Sequence, residues 1–169
     1  AQIAGTSAIA LSQTLGFGVF TAAIARWRML PDLSLPSALR ISAFVSVSFI
    51  VALSVVSALA WLVLPMPGWV ALPASLILIS AVFLLLVILW RPAFSIAGMQ
   101  LRLPNLPTCG AIFGWTLIDT CAAGLALYAL MPAGELTLSI VLPAYLLALG
   151  AGLISGAPGG VGPFELALL

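Results

Sequence analysis

Charged side chains are scarce in this sequence, and two of the usual ionisable types are missing altogether. Its 169 residues include five arginines and four acidic residues, with no lysine and no histidine. The chain therefore has no basic patch for nucleic acid, no Ser-His-Asp triad or Cys-His pair, and no histidine-ligated metal. A Walker phosphate-binding motif is excluded too, because that motif requires a lysine. No catalytic constellation is left, and whether the chain belongs to an enzyme stays open.

Cysteine is also rare. Cys109 and Cys121 are twelve residues apart on one predicted helix, a rise of roughly 18 Å that is far beyond the reach of a disulfide. Two thiols without histidine cannot supply the four converging ligands of a structural zinc site. We therefore expect small apolar helix residues at these positions, with no metal and no cofactor.

Apolar residues make up most of what is present. They account for 64% of the chain, only 5% is charged, and the mean hydropathy is +1.33, whereas a soluble domain is roughly 25% charged. A bilayer core about 30 Å thick needs about 20 consecutive apolar residues per helix. The prolines and arginines divide the chain into five such segments, which predicts an all-α polytopic transmembrane helix bundle. We interpret residues 1–169 as one transmembrane domain, a fragment of a longer protein, with spans at residues 1–25, 39–64, 70–89, 109–131 and 136–156.

The arginines fall in alternate loops. Arg26 and Arg28 lie between predicted spans one and two, with Arg40 at the start of span two, and Arg91 and Arg102 lie between predicted spans three and four. The other two loops have no arginine. Because retained loops are enriched in positive charge, we expect the arginine-bearing loops to be cytoplasmic and Ala1 to be external. The connector at 92–107 contains three prolines, and we expect it to lie along the cytoplasmic interface.

Asp119 is the first candidate functional residue, because it lies near the middle of the fourth predicted span. A carboxylate there costs about 2.5 to 3.5 kcal/mol on insertion scales. We therefore expect it to face the bundle interior or a wet cavity, on a face shared with Trp115 and with Ala122, Ala123 and Ala126. The structural alternative is an aspartate bonded to threonine or serine hydroxyls.

A second candidate is the glycine-rich stretch that follows the fifth span. Pro158, Gly159 and Gly160 predict a broken or re-entrant helix near residues 158–162, and Glu165 shortly after Pro163 predicts a new helix beginning near residue 163. Broken helices at membrane depth are tolerated where they line a cavity, and transporters often bind their substrates there. Their free amides suit a phosphate. Glu165 could instead satisfy the helix dipole, and an ordinary cytoplasmic turn is a further alternative.

The third candidate is the pair Arg26 and Arg28, which flank Trp27 at the end of the first predicted span. A guanidinium can bind a lipid phosphate through two hydrogen bonds, and an indole suits the headgroup level. Arginines are also expected at this position from topology alone.

Three runs of sequence carry a resemblance. They are TLGFGVFTAAIARWR (14–28), DTCAAGLALYALMP (119–132) and AGLISGAPGGVGPFE (151–165). In this order they resemble the membrane region of the lysylphosphatidylglycerol synthase/flippase, or multiple peptide resistance factor, family. The resemblance implies a multi-pass protein of the bacterial inner membrane. Such a protein makes aminoacylated phosphatidylglycerol and moves it to the outer leaflet, which protects against cationic antimicrobial peptides.

The resemblance also implies partners and roles. The parent chain would be a phosphatidylglycerol lysyltransferase whose soluble transferase domain is missing here, the ligand would be a phospholipid, and a homo-oligomer stays open. Asp119 and Glu165 would bind the ammonium end of a lysyl lipid, and the break at Gly159 and Gly160 with Arg26 or Arg28 would bind its phosphate. Two alternatives remain: a membrane anchor for the lipid-modifying enzyme with no transport of its own, or a small-solute transporter.

Overall fold

The structure, a computed structural model, describes residues 2–15, 18–90, 93–96, 99–102, 105–131, 136–155, 157 and 160–168. Helices dominate this part of the chain. They are α1 Gln2–Leu15, α2 Gly18–Met29, α3 Leu35–Trp61, α4 Ala71–Trp90, α5 Leu106–Leu130, α6 Leu138–Ser155 and α7 Pro163–Leu168. A short 3-10 helix, Gly68–Val70, precedes α4, and the strands β1 Ala93–Ile96 and β2 Met99–Arg102 lie between α4 and α5.

Three helices in the described part of the chain are long and apolar enough to cross a membrane. They extend over Leu35–Val63, Gly68–Trp90 and Leu106–Leu130. Their positions agree with the predicted spans at 39–64, 70–89 and 109–131 to within a few residues. The fifth predicted span, 136–156, corresponds to the shorter apolar helix α6, so five full spans are not confirmed. The three long helices indicate a multi-pass membrane protein.

The first predicted span is not one helix. Ala8 of α1 lies in one buried cluster with Ala22 and Ala25 of α2, although a continuous helix would separate Ala8 from Ala25 by about 25 Å. The two helices therefore pack side by side. At 14 and 12 residues they are roughly 21 and 18 Å long, and neither crosses a 30 Å core. The prediction of a single span over residues 1–25 was wrong. The external placement of Ala1 depended on that span, so it no longer follows.

Local capping sets where α5 begins. The Asn105 side chain accepts a hydrogen bond from the Thr108 backbone N–H at 3.0 Å, and Pro107 lies in the first turn. An asparagine cap satisfies one of the amide groups that a helix start leaves unpaired, and proline suits the first turn because it has no amide to satisfy. The helix therefore begins at Leu106, three residues before the predicted boundary.

The connector between α4 and α5 contains a two-stranded antiparallel sheet. Ala93 pairs with Arg102 at one end and Ile96 with Met99 at the other. The all-α expectation holds for the spans, but this hairpin was not predicted, because three nearby prolines obscured its short strands.

The chain forms two compact units. The first unit comprises Ala1–Ser48 and Ala144–Leu169, and the second comprises Phe49–Pro143. The first unit therefore contains α1, α2 and α7, and the second contains α4, the hairpin and α5. Both α3 and α6 continue from one unit into the other.

Candidate functional site

Arg26 is a buried arginine in the last turn of α2, with 7% of its surface exposed. Its Nη1 donates a hydrogen bond to Oγ of Ser42 on α3 at 2.5 Å, and Ser42 is itself buried. A charged group removed from water needs such an acceptor, and its hydrogen bonds are stronger than those between neutral groups. Arg26 therefore joins α2 to α3. The phosphate-binding role predicted for it stays a prediction.

Arg28 lies in different surroundings, although it follows Arg26 by only two positions. Residues at i and i+2 do not share a helix face, and Arg28 is exposed. Its side chain lines an open groove of about 410 Å³, whose other lining residues are Leu11 of α1 and, from α2, Thr21, Ile24, Ala25 and Met29. Within the described residues it has no ion pair or hydrogen bond. The groove thus combines largely apolar walls with a guanidinium available to an anion.

The chain folds back onto α6 where the sequence predicted a break. Gly160 has a φ of +74°, and a Cβ on Gly152 would lie 3.4 Å from the Gly160 Cα. The ring of Phe164 on α7 then meets Tyr145 of α6 edge to face, with centroids 6.2 Å apart. Glycine reaches this left-handed φ without the steric cost of a Cβ. The two glycines therefore allow the chain to turn and bring α7 against α6.

Two backbone amides around this break are already paired. The amide of Ala157 donates to Ser155 Oγ at 3.2 Å, and the amide of Gly160 donates to the Ala157 carbonyl at 2.9 Å. The Ser155 hydroxyl in turn donates to the Gly152 carbonyl at 2.7 Å. These amides are therefore not free for a phosphate. Pro158 and Gly159, the other residues predicted to bind there, lie outside the described residues.

Glu165 caps the helix that restarts after the break. One of its oxygens, Oε2, accepts a hydrogen bond from the Gly162 amide at 2.5 Å, and Pro163 is the first residue of α7. A glutamate in this position satisfies an amide at the helix start, as in half of a capping box. The predicted restart near residue 163 is confirmed. Glu165 is exposed, and its predicted contact with an ammonium group stays a prediction.

Asp119 lies on an exposed face of α5, in the second unit. The residues predicted to share its face are exposed as well: Trp115, Ala122, Ala123 and Ala126. The buried face of α5 consists instead of Thr116, Thr120 and Gly124. The expected contact between the Asp119 face and the bundle interior is therefore not made within the described residues.

The structural alternative for Asp119 was a hydrogen bond to a neighbouring hydroxyl. Thr120, the next residue, is 3% exposed, and its Oγ1 has no hydrogen-bond partner among the described residues. A buried hydroxyl without a hydrogen-bond partner usually marks a place for water or for a further polar group. Asp119 itself forms no hydrogen bond or ion pair among the described residues.

The structure places the candidate residues in two groups. Arg26, Arg28 and Glu165 belong to the first unit, and Asp119 belongs to the second. Sequence reasoning missed Ser42, because a serine in an apolar helix carries no sign of an arginine beside it. Thr120 was missed because the prediction concerned a different face of α5, the one that carries Asp119.

Comparison with known proteins gives a distant relative. No protein-family model matches the chain. An uncharacterized protein of Synechocystis sp. is 29% identical over 180 residues, and the match covers 98% of this chain and 55% of that protein. The chain thus spans about half the length of this curated relative.

Proposed function

We propose that this chain is the membrane domain of a bacterial aminoacyl-phosphatidylglycerol synthase/flippase. It moves lysyl-phosphatidylglycerol, or a similar lipid, to the outer leaflet of the inner membrane. The observation that carries the proposal is the groove at Arg28, because a phospholipid pairs an anionic phosphate with apolar chains. A guanidinium binds phosphate through charge-assisted hydrogen bonds, and the mainly apolar lining of the groove suits the glycerol and acyl portion.

Two carboxylates suit the cationic part of a lysyl lipid. A lysyl lipid carries ammonium groups, and Asp119 is a carboxylate at the centre of an apolar helix, where facing lipid costs about 2.5 to 3.5 kcal/mol. A cationic headgroup passing this position lowers that cost. Glu165, in the first unit, retains one carboxylate oxygen beyond its capping bond. It is therefore a second acid, besides Asp119, that suits a cation. The resemblance of the three sequence runs to the lysyl lipid flippase family agrees with this division of roles.

Outer-leaflet labelling tests the proposal. Bacterial cells that synthesise lysyl-phosphatidylglycerol express the full-length protein, and an impermeant amine-reactive dye reports the lysyl lipid in the outer leaflet at matched total lipid. Removing a charged hydrogen-bond donor costs about 1.5 to 3 kcal/mol, which is at least about tenfold in affinity, so Arg28→Gln should lower the labelled fraction strongly. Asp119→Asn should lower it as well. Arg40→Gln is the matched control, because Arg40 is also exposed but lies outside the groove.

Each result decides between functions. Loss of label in Arg28→Gln and Asp119→Asn with normal label in Arg40→Gln supports transport. Normal label in every variant, with the protein present and synthesis intact, refutes translocation and leaves the chain as a membrane anchor for the enzyme.

A further inference from the structure

Arg26 carries a positive charge that no acid neutralises within the described part of the first unit. The residue is 7% exposed, and its hydrogen bond to Ser42 Oγ is the one bond that its side chain makes among the described residues. The acidic residues of this unit are Asp32 and Glu165. Both are exposed, neither forms an ion pair with Arg26, and Glu165 caps α7. Because buried charges in proteins are normally paired, this guanidinium requires an anion that the described residues do not supply.

The pair Arg26 and Ser42 consists of hydrogen-bond donors that lack acceptors. A guanidinium has five N–H groups and no acceptor, and a serine hydroxyl that accepts one bond still has its own proton to donate. Nothing in the described residues accepts a bond from Ser42 or from the other nitrogens of Arg26. Among the described side chains, Thr120 Oγ1 is the only polar atom that is both sealed from solvent and unpaired. Nε and Nη2 of Arg26 therefore keep some accessible surface, where an acceptor can reach them.

This pair lies near one end of a candidate membrane span. Ser42 is roughly 10 Å along the helix from Leu35, the first residue of that span, and Arg26 lies in the last turn of α2. Trp27, the next residue, is 44% exposed, and an indole in this setting is typical of the lipid headgroup layer. A guanidinium binds phosphate through paired, charge-assisted hydrogen bonds. The position and the set of donors therefore both match a phosphate group.

We propose that Arg26 and Ser42 form a binding site for a phosphate group, carried by a resident phospholipid or by free phosphate, that holds α2 against α3. The phosphate oxygens accept hydrogen bonds from Arg26 and from the Ser42 hydroxyl, and their negative charge offsets the buried guanidinium. Arg28 differs, because it is exposed and lines an open groove, whereas Arg26 is enclosed. The inference does not rest on lipid translocation, since it concerns a phosphate that stays bound.

Thermal unfolding of the full-length protein in detergent tests the site, because a ligand that binds the folded state raises the unfolding temperature with its concentration. Every protein in the series carries Arg28→Gln, which removes phosphate binding at the open groove. Phosphatidylglycerol is titrated in parallel with diacylglycerol of the same acyl chains, and inorganic phosphate in parallel with chloride at equal ionic strength. Phosphatidylglycerol or inorganic phosphate should stabilise the Arg28→Gln protein more than its matched control does.

Substitutions at the pair then identify the site. Arg26→Gln should weaken the apparent affinity for the stabilising phosphate compound at least about tenfold, because it removes a charged donor. Ser42→Ala should weaken that affinity several-fold, and it carries the test alone should Arg26→Gln fail to fold. Arg40→Gln, at an exposed position of α3, should leave the affinity unchanged.

The compound that stabilises the protein identifies the source of the phosphate. A response to phosphatidylglycerol alone indicates a lipid headgroup, and an equal response to inorganic phosphate indicates the free ion; either supports the site when Arg26→Gln or Ser42→Ala weakens it. Equal stabilisation by each phosphate compound and its control overturns the proposal, as does a response that both substitutions leave unchanged, and water is then the partner of these donors. Normal outer-leaflet label in Arg28→Gln and Asp119→Asn, which refutes translocation, leaves this measurement unaffected.

Discussion

Arg26 and Arg28 are separated by one residue, yet their side chains meet opposite surroundings. Arg26 is buried against Ser42, and Arg28 lines the open groove beside α1 and α2. The sequence presents them as equivalent, since two arginines at the end of an apolar helix satisfy the same topological rule. Their helical spacing separates them, because positions i and i+2 point in different directions.

A first prediction at this scale concerns Ser42. Replacing it with alanine leaves the Arg26 guanidinium without the hydroxyl acceptor that it has in the folded protein, which costs about 1.5 to 3 kcal/mol for a bond to a charged group. Ser42→Ala should therefore lower the thermal unfolding temperature of the protein in detergent. Ser46→Ala, one turn further along α3, serves as the control, because Ser46 forms no such bond in the described structure. Equal melting temperatures for the two variants would contradict this role of Arg26.

A second prediction separates two roles of Glu165. Its capping bond needs only an oxygen acceptor for the Gly162 amide, and a glutamine supplies one just as well. Glu165→Gln should therefore keep the thermal stability of the wild type, whereas Glu165→Ala should lose about 0.5 to 2 kcal/mol, as other lost helix caps do. Outer-leaflet labelling of Glu165→Gln then tests the ammonium contact alone. Normal labelling in a stable Glu165→Gln would restrict this glutamate to capping.

Among the elements, the long helices were predictable and the turns between short ones were not. Helices α3 to α5 follow from apolar runs that reach the length of a bilayer core. The division between α1 and α2 falls beside Gly18, and glycine is common within transmembrane helices, so its presence did not distinguish a turn from a continuous span. The restart at Pro163 was predictable because proline and a following acid are a local signal. The exposure of the Asp119 face depends on packing between helices, which no local pattern reports.

A third prediction concerns the turn that brings α7 against α6. At Gly160 the φ of +74° is the main obstacle to a side chain, because a Cβ there would meet its neighbours at ordinary contact distances of 3.6 and 3.7 Å. Gly160→Ala should therefore cost about 1 to 2 kcal/mol of stability through backbone strain. Gly150→Ala within α6 is the matched control, since a Cβ there meets open space and alanine favours a helix by about 1 kcal/mol. Thermal unfolding in detergent should rank Gly150→Ala at or above the wild type and Gly160→Ala below it.

At the scale of the whole molecule, the paired helices α1 and α2 change the expected topology. A single span would place the two ends of this segment on opposite sides of the membrane. Two short helices that pack against each other return the chain to the side from which it came, provided that neither crosses the core. The arginine pattern predicts that the loop after α2 is cytoplasmic, and on this topology we expect the start of α1 to lie on the same side.

Sidedness of labelling tests this topology. Single cysteines at Ile3, Asp32 and Val63 are introduced into the full-length protein without its native cysteines, and an impermeant maleimide is applied to spheroplasts and to inverted vesicles. Because the candidate span Leu35–Val63 is 29 residues long, enough to cross the core, we expect Asp32→Cys and Val63→Cys to react from opposite sides. Ile3→Cys should react from the same side as Asp32→Cys, the inner face.

Reaction of Ile3→Cys together with Val63→Cys would instead mean that the chain crosses the bilayer between Ile3 and Asp32, which would require α1 and α2 to separate in the membrane. The groove that exposes Arg28 would then be lost, so this measurement bears on the proposed lipid site as directly as on the topology.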